Sequence, residues 1–111
     1  MRVGHCSRIA FPDGKVVIIK NGKRHCANGP AVSGRDGQEW YWKGKLHREN
    51  GPAVIRTTGY QAWYRHGKRH RDDGPAAIHG NGLLEWWVDG KSLTRTEFFW
   101  YRVKRFFGVG R

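Results

Sequence analysis

The stretch that decides the fold is repeated in tandem: IIKNGKRHCANGPAVSGRDGQE at residues 18–39, WYWKGKLHRENGPAVIRTTGYQA at residues 40–62 and WYRHGKRHRDDGPAAIHGNGLLE at residues 63–85. A fourth copy begins at Trp86 as WWVDGKSL and then departs from the pattern. Self-similarity at a fixed period of about 20–50 residues is the signature of repeat architectures. We therefore expect each copy to bury its apolar surface against its neighbours, as repeat units do.

Two turn glycines punctuate each copy. They are Gly22, Gly44, Gly67 and Gly90 in one set and Gly14, Gly37, Gly59 and Gly82 in the other. Glycine accepts the positive φ of tight hairpin turns, so two turns per copy predict an antiparallel meander. We expect strands near residues 15–20, 31–33, 38–43, 53–56, 60–66, 76–79 and 83–89. The first copy is one residue short, and we expect the gap in the hairpin loop between Ala31 and Trp40.

A Gly-Pro-Ala step recurs once per copy, with its proline at Pro30, Pro52 and Pro75. Proline cannot donate a hydrogen bond to a strand ladder, so we expect a bulge or a kinked strand beginning at each of these prolines. The step is predicted to be part of the fold rather than a binding site.

Residues 94–108 change character and predict a helix. Thr94-Arg95-Thr96-Glu97 has the form of a capping box, and helical spacing continues to Gly108, the expected C-terminal cap. The aromatic and aliphatic residues of the segment fall on one helix face, whereas the cations lie mostly on the other; the first set is Phe99, Trp100, Val103, Phe106 and Phe107, the second Arg95, Arg102, Lys104 and Arg105. We predict that the aromatic face covers the end of the sheet and that the arginines point outward. A basic amphipathic helix is also typical of membrane-surface and partner-binding elements.

These elements predict one domain over residues 1–111. Its fold class is mostly β: a single-layer antiparallel meander of hairpin repeats over residues 8–93, followed by a C-terminal capping α-helix over residues 94–108. Cys6 and Cys26 form no Cys-x-x-Cys pair, the chain begins without an apolar leader segment, and it contains no run of eighteen apolar residues. We therefore expect a cytoplasmic protein with reduced thiols.

The pattern Gly-Lys-x-His-Arg-x-x-Gly-Pro-Ala resembles MORN-type repeats, and more closely a variant found in phage and large-virus proteins. The resemblance covers residue 14 to about residue 93. It implies a single-layer antiparallel sheet of stacked hairpins and a role as an adaptor, an oligomerisation module or a scaffold. Here proline interrupts each copy, and Trp-Tyr or Trp-Trp stands where MORN repeats more often have Tyr-x-Gly, so we do not expect the lipid binding proposed for some MORN arrays.

Histidine recurs at His25, His47 and His70, three residues after a turn glycine. Successive copies are two strands apart, so these side chains are expected about 9.5 Å from one another. One metal ion cannot bridge that distance, because its ligand bonds are about 2.1 Å long. We predict histidines hydrogen-bonded within their own loops, with no metal and no cofactor.

Lysine and arginine outnumber aspartate and glutamate by 21 to 9, which gives a net charge of +12. The excess is uneven: residues 67–89 carry a net charge of −1, whereas residues 90–111 carry +5. One lysine follows each first-set turn glycine, and a row of cations beside aromatic rings suits a phosphate backbone with stacked bases. Turn lysines that keep sheet edges soluble are the alternative explanation.

Several arrangements typical of enzymes do not occur in the sequence, including a Ser-His-Asp order, a Walker loop and a zinc-deaminase signature. We expect a non-catalytic protein that captures an acidic macromolecule or a phosphorylated ligand. Its predicted binding residues are Lys23, Arg24, Lys45, Arg48, Lys68, Arg69, Arg102, Lys104, Arg105, Trp40, Trp63 and Trp86. The alternative is an adaptor or an inhibitor of a host enzyme that acts through an exposed tryptophan column on one sheet face. We do not expect a membrane partner, and the sheet edge offers a route to oligomers.

Overall fold

The computed structural model describes residues 6–107, which form fourteen short strands and one helix, α1 (Arg95–Phe107). All strand pairs are antiparallel, and the part of the molecule described is thin, measuring 47 × 39 × 17 Å. The prediction of a mostly β antiparallel sheet with a C-terminal helix is confirmed. The strands are β1 (Ser7–Ala10), β2 (Val16–Lys20), β3 (Lys23–Arg24), β4 (Val32–Gly34), β5 (Gly37–Glu39), β6 (Tyr41–Trp42), β7 (Lys45–Leu46), β8 (Val54–Arg56), β9 (Gln61–Ala62), β10 (Tyr64–Arg65), β11 (Lys68–Arg69), β12 (Ala77–Ile78), β13 (Leu84–Val88) and β14 (Lys91–Leu93).

The main sheet runs in the order β1-β2-β4-β5-β8-β9-β12-β13-β14, with β3 paired to β2. Three of its hairpin loops have three residues and end in a glycine with positive φ; these glycines are Gly14, Gly59 and Gly82. The loop between β4 and β5 has only two residues, because Gly34 pairs directly with Gly37. The first copy is therefore shortened where the sequence predicts the gap.

The second and third copies each contain a pivot residue at which the chain leaves the main sheet. The backbone N–H of Trp40 donates to the Ala53 carbonyl in the main sheet (2.7 Å), whereas its carbonyl accepts from the N–H of His47 in the adjoining hairpin (3.0 Å). Trp63 makes the same pair of bonds in the next copy. The continuous strands predicted at residues 38–43 and 60–66 are therefore wrong: each is split in two by its pivot.

The alanines of the Gly-Pro-Ala steps, Ala31, Ala53 and Ala76, are completely buried beside the pivots. Ala53 donates to the Ala62 carbonyl (2.8 Å), so it joins two strands at the bend. The preceding proline lies just outside β8, where no ladder N–H is needed. A larger side chain in place of these alanines has no free volume to occupy, which explains why the smallest chiral residue stands there.

The chain also forms four tight second hairpins, one after another along the array: β2–β3, β6–β7, β10–β11 and β13–β14. Both central turn residues have positive φ, as in a type I′ turn; in the second copy they are Lys43 (49°) and Gly44 (86°). The two- or three-residue strands after the turns were not predicted, because they are too short to show an alternating pattern. Neighbouring hairpins join sideways, as when Gly44 N–H donates to the Arg24 carbonyl (2.9 Å). The hairpin tips therefore form a row.

A buried histidine links each hairpin to the next. His25 Nδ1 accepts from Lys43 N–H (2.9 Å), His47 Nδ1 from His66 N–H (2.9 Å) and His70 Nδ1 from Asp89 N–H (3.0 Å). In each case the donor is the first turn residue of the following copy, the non-glycine residue held at positive φ. The histidines thus connect copies, which goes beyond the predicted bonds within their own loops.

Helix α1 begins with the predicted capping box. Thr94 N–H donates to Glu97 Oε1 (2.8 Å) and Glu97 N–H donates to Thr94 Oγ1 (3.1 Å), so two N-terminal donors are satisfied reciprocally. The predicted C-terminal cap, Gly108, lies outside the described residues. No helix within residues 6–107 is long and apolar enough to cross a membrane.

The predicted docking face of α1 is wrong. Phe98 is buried with its ring 6.4 Å from that of Trp86, and Tyr101 donates its hydroxyl to Asp72 (2.6 Å). Arg105, although exposed, also lies 3.5 Å from Asp72. The aromatic residues expected inside are instead solvent-exposed: Phe99 by 58%, Trp100 by 55%, Phe106 by 82% and Phe107 by 70%. Hydrogen bonds and ion pairs to Asp72 set the helix rotation, and hydrophobic periodicity contains no information about them.

We predict that His47→Ala lowers the free energy of unfolding by about 0.5–1.5 kcal/mol, because the His66 N–H loses its buried acceptor. His47→Asn should lose less, since its amide oxygen occupies nearly the position of Nδ1. Urea denaturation followed by circular dichroism measures both variants. His66→Asn is the matched control, because asparagine tolerates the turn conformation, and it should keep the wild-type stability. Equal losses for His47→Ala and His66→Asn would contradict the proposed link.

Candidate functional site

Four lysines form a row along the hairpin tips, one immediately after each turn glycine. The side-chain stems of the first three lysines lie over the turn glycine of the next copy: a Cβ on Gly44 would be 3.4 Å from Lys23 Cδ, and one on Gly67 would be 3.6 Å from Lys45 Cβ. The row therefore has the regular spacing of the copies, about 9.5 Å per step. All four ammonium-bearing side chains are exposed: Lys23, Lys45, Lys68 and Lys91. We call this set the lysine row.

One end of the lysine row is a pocket of about 280 Å³ lined by three lysines. Lys20, Lys23 and Lys43 surround it, together with Asn21 and His25, and no carboxylate lines it. Lys20 and Lys43 were not among the predicted binding residues. The signal for them was available, since Lys43 directly precedes Gly44, Lys20 precedes Gly22 by two residues, and the two lysines become neighbours once the copies are set side by side.

The pocket is specific to the first two copies. Where the first hairpin has Lys20, the later hairpins have Trp42 and Arg65, and where the second has Lys43, the later ones have His66 and Asp89. The number of lysines therefore falls along the row, and a carboxylate enters at its far end. Anion affinity should be greatest where the three lysines meet.

Burial, together with the positive charges of Lys20 and Lys43, lowers the pKa of His25 below its ordinary value. Its ring also lies 4.2 Å from that of Trp42, which is 39% exposed at the row. The neutral ring accepts the Lys43 N–H bond, so the histidine supports the pocket without adding charge. Trp42 is the exposed sheet tryptophan beside the lysine row, and it was not among the predicted binding residues.

Two predicted binding residues, Arg24 and Arg69, lie on the opposite face from the lysine row, because successive strand residues alternate. Arg24 donates to the Tyr41 hydroxyl (3.2 Å). Arg69 donates to the hydroxyls of Tyr64 (3.1 Å) and Tyr60 (2.9 Å) and lies 3.4 Å from a Glu85 oxygen. Arg69 is therefore committed to an internal polar network.

Arg48 has a structural role as well. Its guanidinium lies 3.8 Å from the centre of the Trp40 ring and donates to the Pro52 carbonyl (3.1 Å). Arg71 repeats the arrangement on Trp63, at 3.9 Å. Burial lowers the pKa of Arg48, as expected for a cation removed from water. The predicted tryptophan column is thus capped by arginines, and Trp40 and Trp63 are half-buried rather than open for binding.

The remaining predicted residues lie on or under α1. Trp86 is half-buried beneath Phe98, whereas Arg102 and Lys104 are exposed. Arg105 belongs to the cluster around Asp72, in which burial and the bond to Asp72 raise the pKa of Tyr101 to about 12. The structure therefore separates the predicted residues into the lysine row, the internal arginines and the helix cations.

The histidines have little capacity for acid–base or metal chemistry. His47 uses Nδ1 for the turn N–H, and its Nε2 lies 2.5 Å from Glu49; His70 Nε2 lies 2.8 Å from Asp72. Both ring nitrogens are thus occupied in each case. Across residues 6–107 no group of three or more histidine, cysteine, aspartate or glutamate side chains is placed to hold a metal ion.

No protein-family model, curated protein or solved structure matches the chain. Its function therefore has to be inferred from its own residues.

We predict that the free energy of unfolding decreases as the pH falls below about 6.5, the ordinary pKa of histidine. The unfolded chain takes up a proton at position 25 before the folded chain does, so acid favours unfolding, and this contribution is fully present only above that pH. Urea denaturation at several pH values measures the slope. His25→Asn cannot titrate and keeps an acceptor near Lys43, so its slope between about pH 5 and 6.5 should be smaller. An unchanged slope would show that the pKa of His25 is not lowered in the folded chain.

Proposed function

We propose that this chain is a non-catalytic, MORN-like repeat protein that binds nucleic acid along the lysine row. The observation that carries the proposal is the pocket where Lys20, Lys23 and Lys43 converge with no carboxylate in its lining. Three lysines that line one pocket repel one another, and an anion in that pocket would offset the repulsion. A phosphate group supplies that anion.

The geometry of the row favours a polymer over a single small anion. Beyond the pocket, Lys45, Lys68 and Lys91 continue the cationic line at regular intervals. A sugar–phosphate backbone also repeats its charge along a line, and neutralising several phosphates releases several counterions. Trp42 lies next to the row and offers a ring on which a base can stack. This combination favours single-stranded nucleic acid, whose bases are free to stack.

The fold supports a scaffold role. The inter-copy hydrogen bonds hold the hairpin tips at fixed intervals. His47 and His70, which line two open grooves, already use both ring nitrogens in contacts within the protein. The resemblance to repeat proteins of phages and large viruses supports action inside a host cell as a viral accessory protein. A non-enzymatic, cytoplasmic role therefore remains part of the proposal.

The adaptor or inhibitor alternative needs an exposed aromatic surface. On the sheet, the rings of Trp40 and Trp63 are covered by guanidiniums, which speaks against the tryptophan column as that surface. The most exposed aromatic residues lie on α1 instead. A protein partner would therefore be expected at the helix, and loss of binding on helix substitution would favour this alternative.

We predict that the triple change Lys20→Gln, Lys23→Gln, Lys43→Gln weakens binding to a short single-stranded oligonucleotide by about tenfold or more and lowers the salt slope by about 2–3. Fluorescence anisotropy at about 50 and 200 mM salt measures both quantities. The charge-matched control is Arg8→Gln, Lys15→Gln, Arg35→Gln, which removes three cations away from the hairpin tips. This control variant should retain most of the wild-type affinity for the oligonucleotide.

Two outcomes would contradict the proposal. Negligible affinity of the wild-type chain at the lower salt concentration would exclude nucleic-acid binding. Equal losses in the two triple variants would show that net charge, rather than the pocket, governs the interaction.

A further inference from the structure

Helix α1 turns its apolar face away from the protein. Residues advance by about 100° around an α-helix, which places Phe98, Tyr101 and Arg105 together on the side that contacts Trp86 and Asp72. Phe99, Trp100, Phe106 and Phe107 occupy an arc centred on the opposite side, and each is more than half exposed. We call these four residues the aromatic stripe. It points directly away from the sheet.

Cations border the aromatic stripe on both sides. On the same helical wheel, Arg95 and Arg102 lie along one edge and Lys104 along the other, and all three are exposed. The sole carboxylate of α1, Glu97, is hydrogen-bonded to Thr94 N–H in the capping box. The exposed side of the helix is therefore aromatic in the middle and positive at its edges.

Charge decides which occupant fits this surface. A second copy placed stripe to stripe would bring the three flanking cations of each helix against those of the other, with no carboxylate of α1 left to face them. An anionic lipid surface provides the missing negative charge and an apolar layer below it. Phenylalanine and tryptophan rings favour this interfacial region, and arginine and lysine stems extend from it to the headgroups.

We propose that the aromatic stripe of α1 binds the surface of an anionic lipid bilayer, with the helix axis parallel to the membrane. The helix has thirteen residues and is about 20 Å long, which is too short to span a bilayer. Its inner side stays bound to the end of the array, through Phe98 to Trp86 and through Tyr101 and Arg105 to Asp72. The membrane thus contacts the side of the helix that the sheet leaves uncovered.

The sequence-based expectation of no membrane partner had two grounds, the departures of the copies from the MORN pattern and the aromatic face of α1 covering the sheet. The structure removes the second ground, because Phe98 and Tyr101 contact the sheet in place of that face. This inference is independent of the nucleic-acid proposal, since it uses residues of α1 and not the lysine row.

Vesicle co-sedimentation tests the proposal. The wild-type chain should bind vesicles of phosphatidylcholine with phosphatidylserine at least about tenfold more strongly than vesicles of phosphatidylcholine alone. The triple change Trp100→Ser, Phe106→Ser, Phe107→Ser should reduce binding to the anionic vesicles by about tenfold or more. These side chains are exposed, so circular dichroism and the unfolding midpoint should remain close to wild type.

The matched control is Phe11→Ser, Leu83→Ser, Leu84→Ser, which removes three large apolar side chains that are 42–56% exposed outside α1. It should bind anionic vesicles within about twofold of wild type. Equal losses in the two variants, or equal binding to both vesicle types, would overturn the proposal. A dimer seen by light scattering and abolished by the helix changes would overturn it too, because the occupant would then be a second copy. Oligonucleotide affinity, measured in parallel, should survive the helix changes and so keeps the two proposals separable.

Discussion

The hydrogen bond from a turn N–H to the Nδ1 atom of the preceding copy's histidine is the contact on which the regular array depends. A type I′ turn requires positive φ at both central residues, and in this array the first of them is not glycine, which is uncommon for a residue such as Lys43. The histidine gives the N–H of that residue a buried acceptor and fixes the distance between consecutive hairpins. Each such bond joins a buried ring to an exposed turn residue and is worth only about 0.5–1.5 kcal/mol net. Because the bond recurs between successive copies, its summed contribution to stability is significant for an array with a small apolar core.

The small core explains the rest of the interior. The buried apolar residues are mostly alanine and valine, so large side chains fill little of the space between the strands. Guanidiniums stacked on Trp40 and Trp63, and the network around Arg69 and Glu85, contribute packing in their place. Many of the cations that a count of charges assigns to the surface thus support the sheet. The lysines of the lysine row, in contrast, take part in neither the stacking on tryptophan nor the network around Arg69 and Glu85.

Much of the fold could be predicted from the sequence because its signals are local. The turn glycines, the shortened loop at Gly37 and the Thr94–Glu97 capping box act within a few residues. The pivots could not be predicted, because the bend at Trp40 depends on bonds to Ala53 and His47 in two different parts of the sheet. The rotation of α1 depended on Asp72, a residue more than twenty positions away. The candidate site divided similarly, since the lysine row followed from spacing, whereas the structural roles of Arg48 and Arg69 followed from tertiary contacts.

The first residue of each hairpin turn can be of several side-chain types, whereas the residues beside it are more constrained. The first turn has Asn21, a residue that accepts positive φ readily, and no described histidine precedes it. In the later turns the backbone N–H of this residue donates to the histidine of the preceding copy. The position is occupied by Lys43, His66 and Asp89, so three chemically different side chains stand on the same backbone conformation. Evolution, or a protein engineer, can therefore rewrite the chemistry of each tip without redesigning the fold, much as an antibody varies its loops on a constant framework. A different ligand would need new residues at these positions only, and a longer ligand would need an additional copy.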